Sequence, residues 1–234
     1  MAWPPEDPEL ARYRGPHLAV DVALLTVRHG DEEPDTLGVV VHRRGAGTHE
    51  EGEWALIGRM VRERETLAQA VRSALEDKCG IHGITPRQLF VADDPGRDSR
   101  GWVMSAAHIA TEPWGAMESV LRQREDLAFV PIARTPQISF RLPDGQARLP
   151  YEQDAIVTES ITRLRAMYAD RPDPGQFLPD QFTVYQLRHV HEAVLGRDLD
   201  KDVFRRQMLP FLEPTGRVSE RTVGRPARLF RRRH

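Results

Sequence analysis

"ALIGRMVRERETLAQAVRSALEDKCGI", residues 55–81, decides how the first half of the chain folds. Leu67, Ala70, Val71, Ala74 and Leu75 recur at intervals of three and four, the spacing of a single apolar helix stripe, and Gly80 supplies a stop that tolerates left-handed backbone. The spacing predicts a helix over 65–80, entered from a polar loop. Cys79 lies at its end, either as a packing residue or as a reactive thiol.

Outward from this helix the pattern changes to strands. "LAVDVALLTV" (18–27) and "DTLGVVVHRR" (35–44) are rich in β-branched residues and flank the turn-like "HGDEEP". Arg43 and Arg44 then stand where the second strand meets the loop 45–54. "RQLFVAD" (87–93) and "GWVMSAAHIA" (101–110) predict two further strands around "DPGRDSRG", "WGAMESVLRQ" (114–123) a short helix, and "LAFVPIA" (127–133) another strand. Strands flanking a helix and followed by more strands predict an α/β sandwich over 18–145, behind an N-terminal arm at 1–17.

Residues 146–234 read as a second module. "PYEQDAIVTESITRLRAMYADRP" (150–172) predicts a helix bounded by prolines, and "TVYQLRHVHEAVLG" (183–196) one with a Thr cap and a terminal glycine. "DKDVFRRQMLPFL" (200–212) starts a third helix that Pro210 stops. "EPTGRVSERTVGRPARLFRRR" (213–233) has the turn glycines of a two-stranded hairpin. Three helices and a basic hairpin are the parts of a winged helix-turn-helix.

Charge divides the chain in the same way. From Arg197 onward there are 11 Lys or Arg against 5 Asp or Glu, whereas the first 196 residues carry 22 against 30. An acidic front and a basic tail imply different partners, and a polyanion suits the tail, unless it serves only as a solubilising end. The single cysteine precludes an internal disulfide and fits a reducing cytoplasm. No apolar run approaches the roughly 20 residues of a membrane span, and the first ten residues lack a secretory pattern. A hydrophobic fraction of 40% suffices for a packed core.

Residues 18–132 resemble a Nudix domain. Trp54, Leu56, Gly58, Glu65, Leu75, Gly80 and Ile81 match that family's Trp-x-Leu-Pro-Gly-Gly approach, first box glutamate, aliphatic core position and closing pair. Ile57 replaces the proline and Arg59 the second glycine. Ser73 and Ala74 stand for an Arg-Glu pair, and Asp77 and Lys78 for two glutamates. A divalent ion beside a diphosphate needs several carboxylate oxygens from one helix face. Here the positions offer a methyl, one carboxylate and a cation, a change that weakens Mg²⁺ and still accommodates phosphate. Lys78 cannot ligate a metal when protonated but can face an anion. "DDPGRDSRG" (93–101) resembles the Arg-Asp-Pro-Arg loop of Nudix proteins that handle ADP-ribose, with Arg97, Asp98, Ser99 and Arg100 at the motif. Where relatives carry Phe-Asp-His, this chain has Phe129, Val130 and Pro131. Arg43, Arg44 and Trp54 offer a phosphate clamp and an aromatic surface. The expected effector set is therefore Arg43, Arg44, Trp54, Arg59, Asp77, Lys78, Arg97 and Arg100, with no catalytic or metal-ligating residue and no required cofactor.

The stretch 177–230 resembles the winged-helix domain of the NrtR-type regulators, Nudix-related proteins that control NAD metabolism. Phe177 to Pro179, Leu187, Gly196, "FRR" (204–206), "LEPTG" (212–216) and "GRPARLF" (224–230) carry the likeness. On the third helix Val203, Phe204, Met208 and Leu209 are expected to anchor it. Lys201, Arg205 and Arg206 are expected to face DNA, and Asp200 and Asp202 to cap the helix or turn away. Arg217, Arg221, Arg225 and Arg228 are expected on the wing, and Arg231 to Arg233 to add salt-sensitive attraction.

Together these readings give a Nudix-like sandwich followed by a winged helix-turn-helix. The expected protein is a dimeric cytoplasmic repressor of NAD metabolism genes, without a membrane partner, that meets double-stranded operator DNA and responds to ADP-ribose or a related nucleotide. Residues 133–182 would join sensor to reader, with the helix at 150–169 transmitting the signal and contributing to the dimer. Two other readings stay open. One is a Nudix hydrolase using Glu65 and Asp77; the other is a nucleic-acid or protein adaptor with an inert core.

Overall fold

A computed structural model describes residues 15–30, 33–219 and 226–233. Residues 1–14 of the expected N-terminal arm, and Arg221 and Arg225 of the expected wing, lie outside the described residues. No helix among those described is long and apolar enough to cross a membrane.

The organising strand is β1 (His17–Arg28), a near-continuous apolar run because both of its faces are buried. One edge pairs in parallel with β6 (Val103–Thr111), which in turn pairs antiparallel with β5 (Arg87–Ala92). The other edge is shared. The second half of β1 pairs with β2 (Thr36–Arg43), as in Leu24 opposite Val40. Its first half pairs with β4 (Ile57–Met60), as in Ala19 opposite Met60. The short β3 (Trp54–Ala55) continues this by pairing with His42 and Arg43 of β2, and β7 (Leu127–Pro131) runs along the far edge of β2. Residues 54–60 thus enter between the splayed ends of β1 and β2, and the splay opens a cleft.

Alternation along β1 assigns the two faces. Val20, Val22 and Leu24 pack with α1 (Leu67–Cys79) and α2 (Trp114–Gln123). Ala23, Leu25 and Val27 belong to a second cluster. It includes Ile156, Val157, Ile161 and Leu164 of α3 (Gln153–Met167) and Leu187, Val190 and Val194 of α4 (Val184–Leu195). The same cluster runs on to Phe204 and Met208 of α5 (Lys201–Met208), Leu212 of β8 (Leu212–Val218) and Phe230 of β9 (Arg228–Arg232). Each such side chain contributes about 1.5–3 kcal/mol on burial. One apolar core therefore unites the sheet, α3 and the C-terminal module.

Local chemistry fixes the ends of these helices. Thr66 begins α1 and Thr183 begins α4, each through a reciprocal capping box with Gln69 or Gln186, and Gly80 and Gly196 end them in left-handed backbone. Asp200 caps α5 by accepting from the Asp202 and Val203 amides. At Gly196 an added Cβ would lie 2.7 Å from the Thr135 carbonyl oxygen, so a side chain there forces the backbone to shift.

Candidate functional site

The cleft left by the splayed strands is a cavity of about 250 Å³. Its floor is set by Asp21, the lone acid inside the apolar run of β1. Asp21 accepts hydrogen bonds from Ser105 Oγ (2.7 Å), Gln153 Nε2 (2.7 Å) and Arg97 Nη2 (3.2 Å), which tie β1 to β6, to the first turn of α3 and to the 93–101 loop. Gln153 also accepts from the Leu56 amide at 2.8 Å. Gly58 is obligatory, because a Cβ there would sit 2.4 Å from the Val20 carbonyl oxygen and 2.5 Å from Asp21 Oδ1.

Above this floor the lining is cationic: Arg44, Arg59, Lys78, Arg97 and Arg100, all expected from the sequence, are brought to one cavity. Their donors are engaged to different degrees. Arg44 and Arg100 lie over the Tyr151 ring at 5.2 and 5.0 Å, and Arg100 holds both oxygens of Asp98. Hydrogen bonds from Arg100 keep the Asp98 carboxyl below its ordinary range. Arg59 donates Nη1 to Glu65 at 2.9 Å and leaves Nη2 buried without a partner; Arg97 likewise leaves Nε.

Lys78 Nζ lies 2.6 Å from His42 Nε2, and His42 Nδ1 lies 3.0 Å from the Arg43 carbonyl oxygen. Burial, then the charge of Arg44, pushes the Lys78 ammonium down to about 8. Burial, then the charge of Lys78, pushes His42 down to about 4. At neutral pH the imidazole is uncharged, accepts from the ammonium at Nε2 and donates Nδ1–H to the carbonyl.

The other three expected effector residues lie outside this lining. Trp54 is buried in the sheet core, with its indole N–H on Asp144. Arg43 pairs with Asp144 at 2.7 Å and covers the Trp54 ring. Asp77 is exposed, since consecutive helix positions differ by about 100° and the face that carries Lys78 inward turns its neighbour outward. Glu65, the box glutamate, spends one oxygen on Arg59 and the other on the Arg62 amide. Burial drives the Cys79 thiol up to about 12, so it is a packing residue. Asp21, His42, Tyr151 and Gln153 were not anticipated; the acid interrupting an apolar strand was the one sequence signal among them.

The C-terminal module presents its cations differently. Lys201, Arg205 and Arg206 are exposed on α5, as are Arg217 and Arg228 on the β8–β9 hairpin. Lys201, Arg205 and Arg228 line a groove of about 740 Å³ that Tyr185 and Arg188 of α4 extend. Phe204 and Met208 anchor α5 as expected, but Val203 is 42% exposed, because Asp200 starts the helix in a phase that turns this residue to solvent. Of the terminal arginines, Arg231 pairs with Glu213, and Arg232 grips the fully buried Asp173 and the Leu178 carbonyl oxygen. Arg232 therefore serves the fold rather than the surface charge.

Known proteins share this architecture. Residues 174–232 match the NrtR DNA-binding winged helix domain. Over 224 residues the chain is 25% identical to the ADPR responsive transcriptional repressor NtrR of Acinetobacter baylyi, covering 94% of this chain and 83% of that protein. The crystal structure of Shewanella oneidensis NrtR complexed with a 27mer DNA superposes with a TM-score of 0.74 at 27% identity, over 92% of this chain and 93% of that one. A MutT/nudix family protein from Enterococcus faecalis shares the fold at 22% identity, with a TM-score of 0.75 over 98% of this chain and 90% of its own. The chain therefore has a Nudix-like sandwich followed by a winged helix, the architecture that it shares with Shewanella oneidensis NrtR.

Proposed function

We propose that the protein is a DNA-binding transcriptional repressor whose Nudix pocket senses ADP-ribose or a related nucleotide. The observation that carries this reading is the single apolar core joining a cationic pocket to a winged helix with exposed cations. A ligand shifts DNA affinity only if it binds two states of the protein differently, and a shared core lets a change in the cleft reach the head. The link runs along α3. Gln153 at its start holds the cavity floor, and Arg165, about 18 Å further along the helix, donates to the carbonyl oxygens of Val194, Pro136 and Thr135.

In this reading Arg44, Arg59, Lys78, Arg97 and Arg100 meet the nucleotide. Lys201, Arg205, Arg206, Arg217 and Arg228 meet operator DNA, with two heads of a homodimer on a palindromic site. The regulated genes concern NAD metabolism, and ligand binding releases the operator. The pocket works as a sensor rather than a hydrolase, which is supported by the engagement of Glu65 and the exposure of Asp77. The test is selection from fragmented genomic DNA with the full chain, with and without ADP-ribose. A recurrent two-fold-symmetric site that is lost with ADP-ribose is the expected result. No enriched site under either condition would refute the regulator, and a site indifferent to ADP-ribose would refute the nucleotide as its switch.

A further inference from the structure

The fold family implies a divalent cation in this cleft, and the residues present do not fit one. Among the described residues no three or more His, Cys, Asp or Glu side chains come together as a metal-binding group. The box glutamate has both oxygens engaged, and the side chain that α1 presents to the cavity is a lysine, Lys78. Cationic side chains line it instead. The Lys78 ammonium spends one hydrogen on His42, and two buried guanidinium nitrogens, Arg59 Nη2 and Arg97 Nε, have no partner. Arg97 is 5% exposed, so its unpartnered nitrogen cannot be explained by contact with solvent. Both nitrogens lie beneath the cavity surface, so these two guanidiniums act on an anion in the cavity through their charge, while Lys78 offers it free hydrogens.

The geometry points to a metal-independent phosphoryl subsite in which Lys78, held by His42, takes the place of the cation, and Arg59 and Arg97 add positive charge behind it. This deepens the sensor reading and rests on it. His42 acts as a positioning residue: it accepts from Lys78 and is itself fixed by the Arg43 carbonyl, so it aims the ammonium without competing as a cation. Burial and the neighbouring Arg44 already hold Lys78 well below its ordinary range, and a bound anion reverses that penalty. The ligand class is a diphosphate, free or as a nucleotide ester, bound through oxygens that in a metal-loaded site would face Mg²⁺.

The test is calorimetric titration of the full chain with inorganic diphosphate at pH 7, in EDTA and in Mg²⁺. The expected result is a dissociation constant that differs by no more than about twofold between the two conditions. Lys78→Met should weaken binding by about tenfold or more, whereas Lys78→Arg, which keeps the charge, should retain most of it. Lys78→Glu, which reverses the charge at the cavity wall, should abolish binding in EDTA. Competition by ADP-ribose would assign the subsite to a nucleotide ester, and absence of competition to free diphosphate; both outcomes retain the metal-independent subsite. Binding by the natural chain only with Mg²⁺, or no binding, would overturn it, and so would affinity unchanged in Lys78→Met. The operator selection is read separately, so a failed subsite with an ADP-ribose-sensitive operator would reject this inference alone.

Discussion

Arg97 and Arg205 carry the same guanidinium under opposite conditions. Arg97 is buried beside Asp21 and the Tyr151 carbonyl, and Arg205 stands in solvent on α5. A buried charge must be paired as the chain folds, so the protein meets its cost before any ligand arrives. An exposed charge keeps its water and counterions until a polyanion displaces them. The pocket is thus preorganised and tied to stability, while the exposed cationic face of α5 is nearly separable from it. The same contrast recurs inside the head, where Arg232 is spent on Asp173 and Arg228 is exposed.

The sharpest way to probe that division is Asp173→Ala. Asp173 is fully buried, has φ of +48°, and accepts from Tyr168 Oη, the Phe177 and Leu178 amides and Arg232. Removing it should cost about 3–5 kcal/mol in denaturant unfolding. A change below about 1 kcal/mol would show that the head does not depend on its buried pair.

A second probe is pH. His191 packs edge-on between Tyr168 and Phe204, and burial lowers its pKa from 6.5 to about 4. The unfolded chain then takes up the proton first as pH falls. Stability from this residue is fully present above pH 6.5 and is lost toward pH 4, by on the order of 3 kcal/mol. Unfolding curves of the natural chain and His191→Phe should converge in their pH slopes above 6.5 and diverge below it. Parallel curves throughout would contradict the burial argument.

Arg205→Ala with Arg206→Ala should do the reverse of Asp173→Ala. Specific DNA affinity should fall by about 1–3 kcal/mol for each arginine that reads a base or grips a phosphate, and stability should change by no more than about 0.5 kcal/mol. A large drop in the melting temperature would erase the distinction between the two regions. The smallest effect is expected at the joint between them. Gly196→Ala, at φ of +69° and against the Thr135 carbonyl, should cost about 1–2 kcal/mol and raise the proteolytic sensitivity of the 133–137 segment.

Local features were legible in the sequence and distant meetings were not. The stripe Ala70, Val71, Ala74 and Leu75 located α1 and its buried face, and Thr183 and Gly196 located both ends of α4. β3 and β4 were missed because they are two and four residues long and owe their existence to the splay of β1 and β2. Arg97 read as a loop cation because Asp21 is 76 positions away, and nothing near either residue announces the other. Asp77 was grouped with Lys78 on spacing, but the cavity receives only one side of the helix. The candidate site was legible as a collection of cations, and its pairing and its floor came from tertiary contacts.

The most direct test of the account is reciprocity between its two regions. Operator DNA and ADP-ribose should each weaken the other by the same factor, on the order of 5- to 150-fold, when each affinity is measured with the full chain in the presence and absence of the other. Equal ADP-ribose affinity with and without saturating operator would contradict coupling between pocket and head.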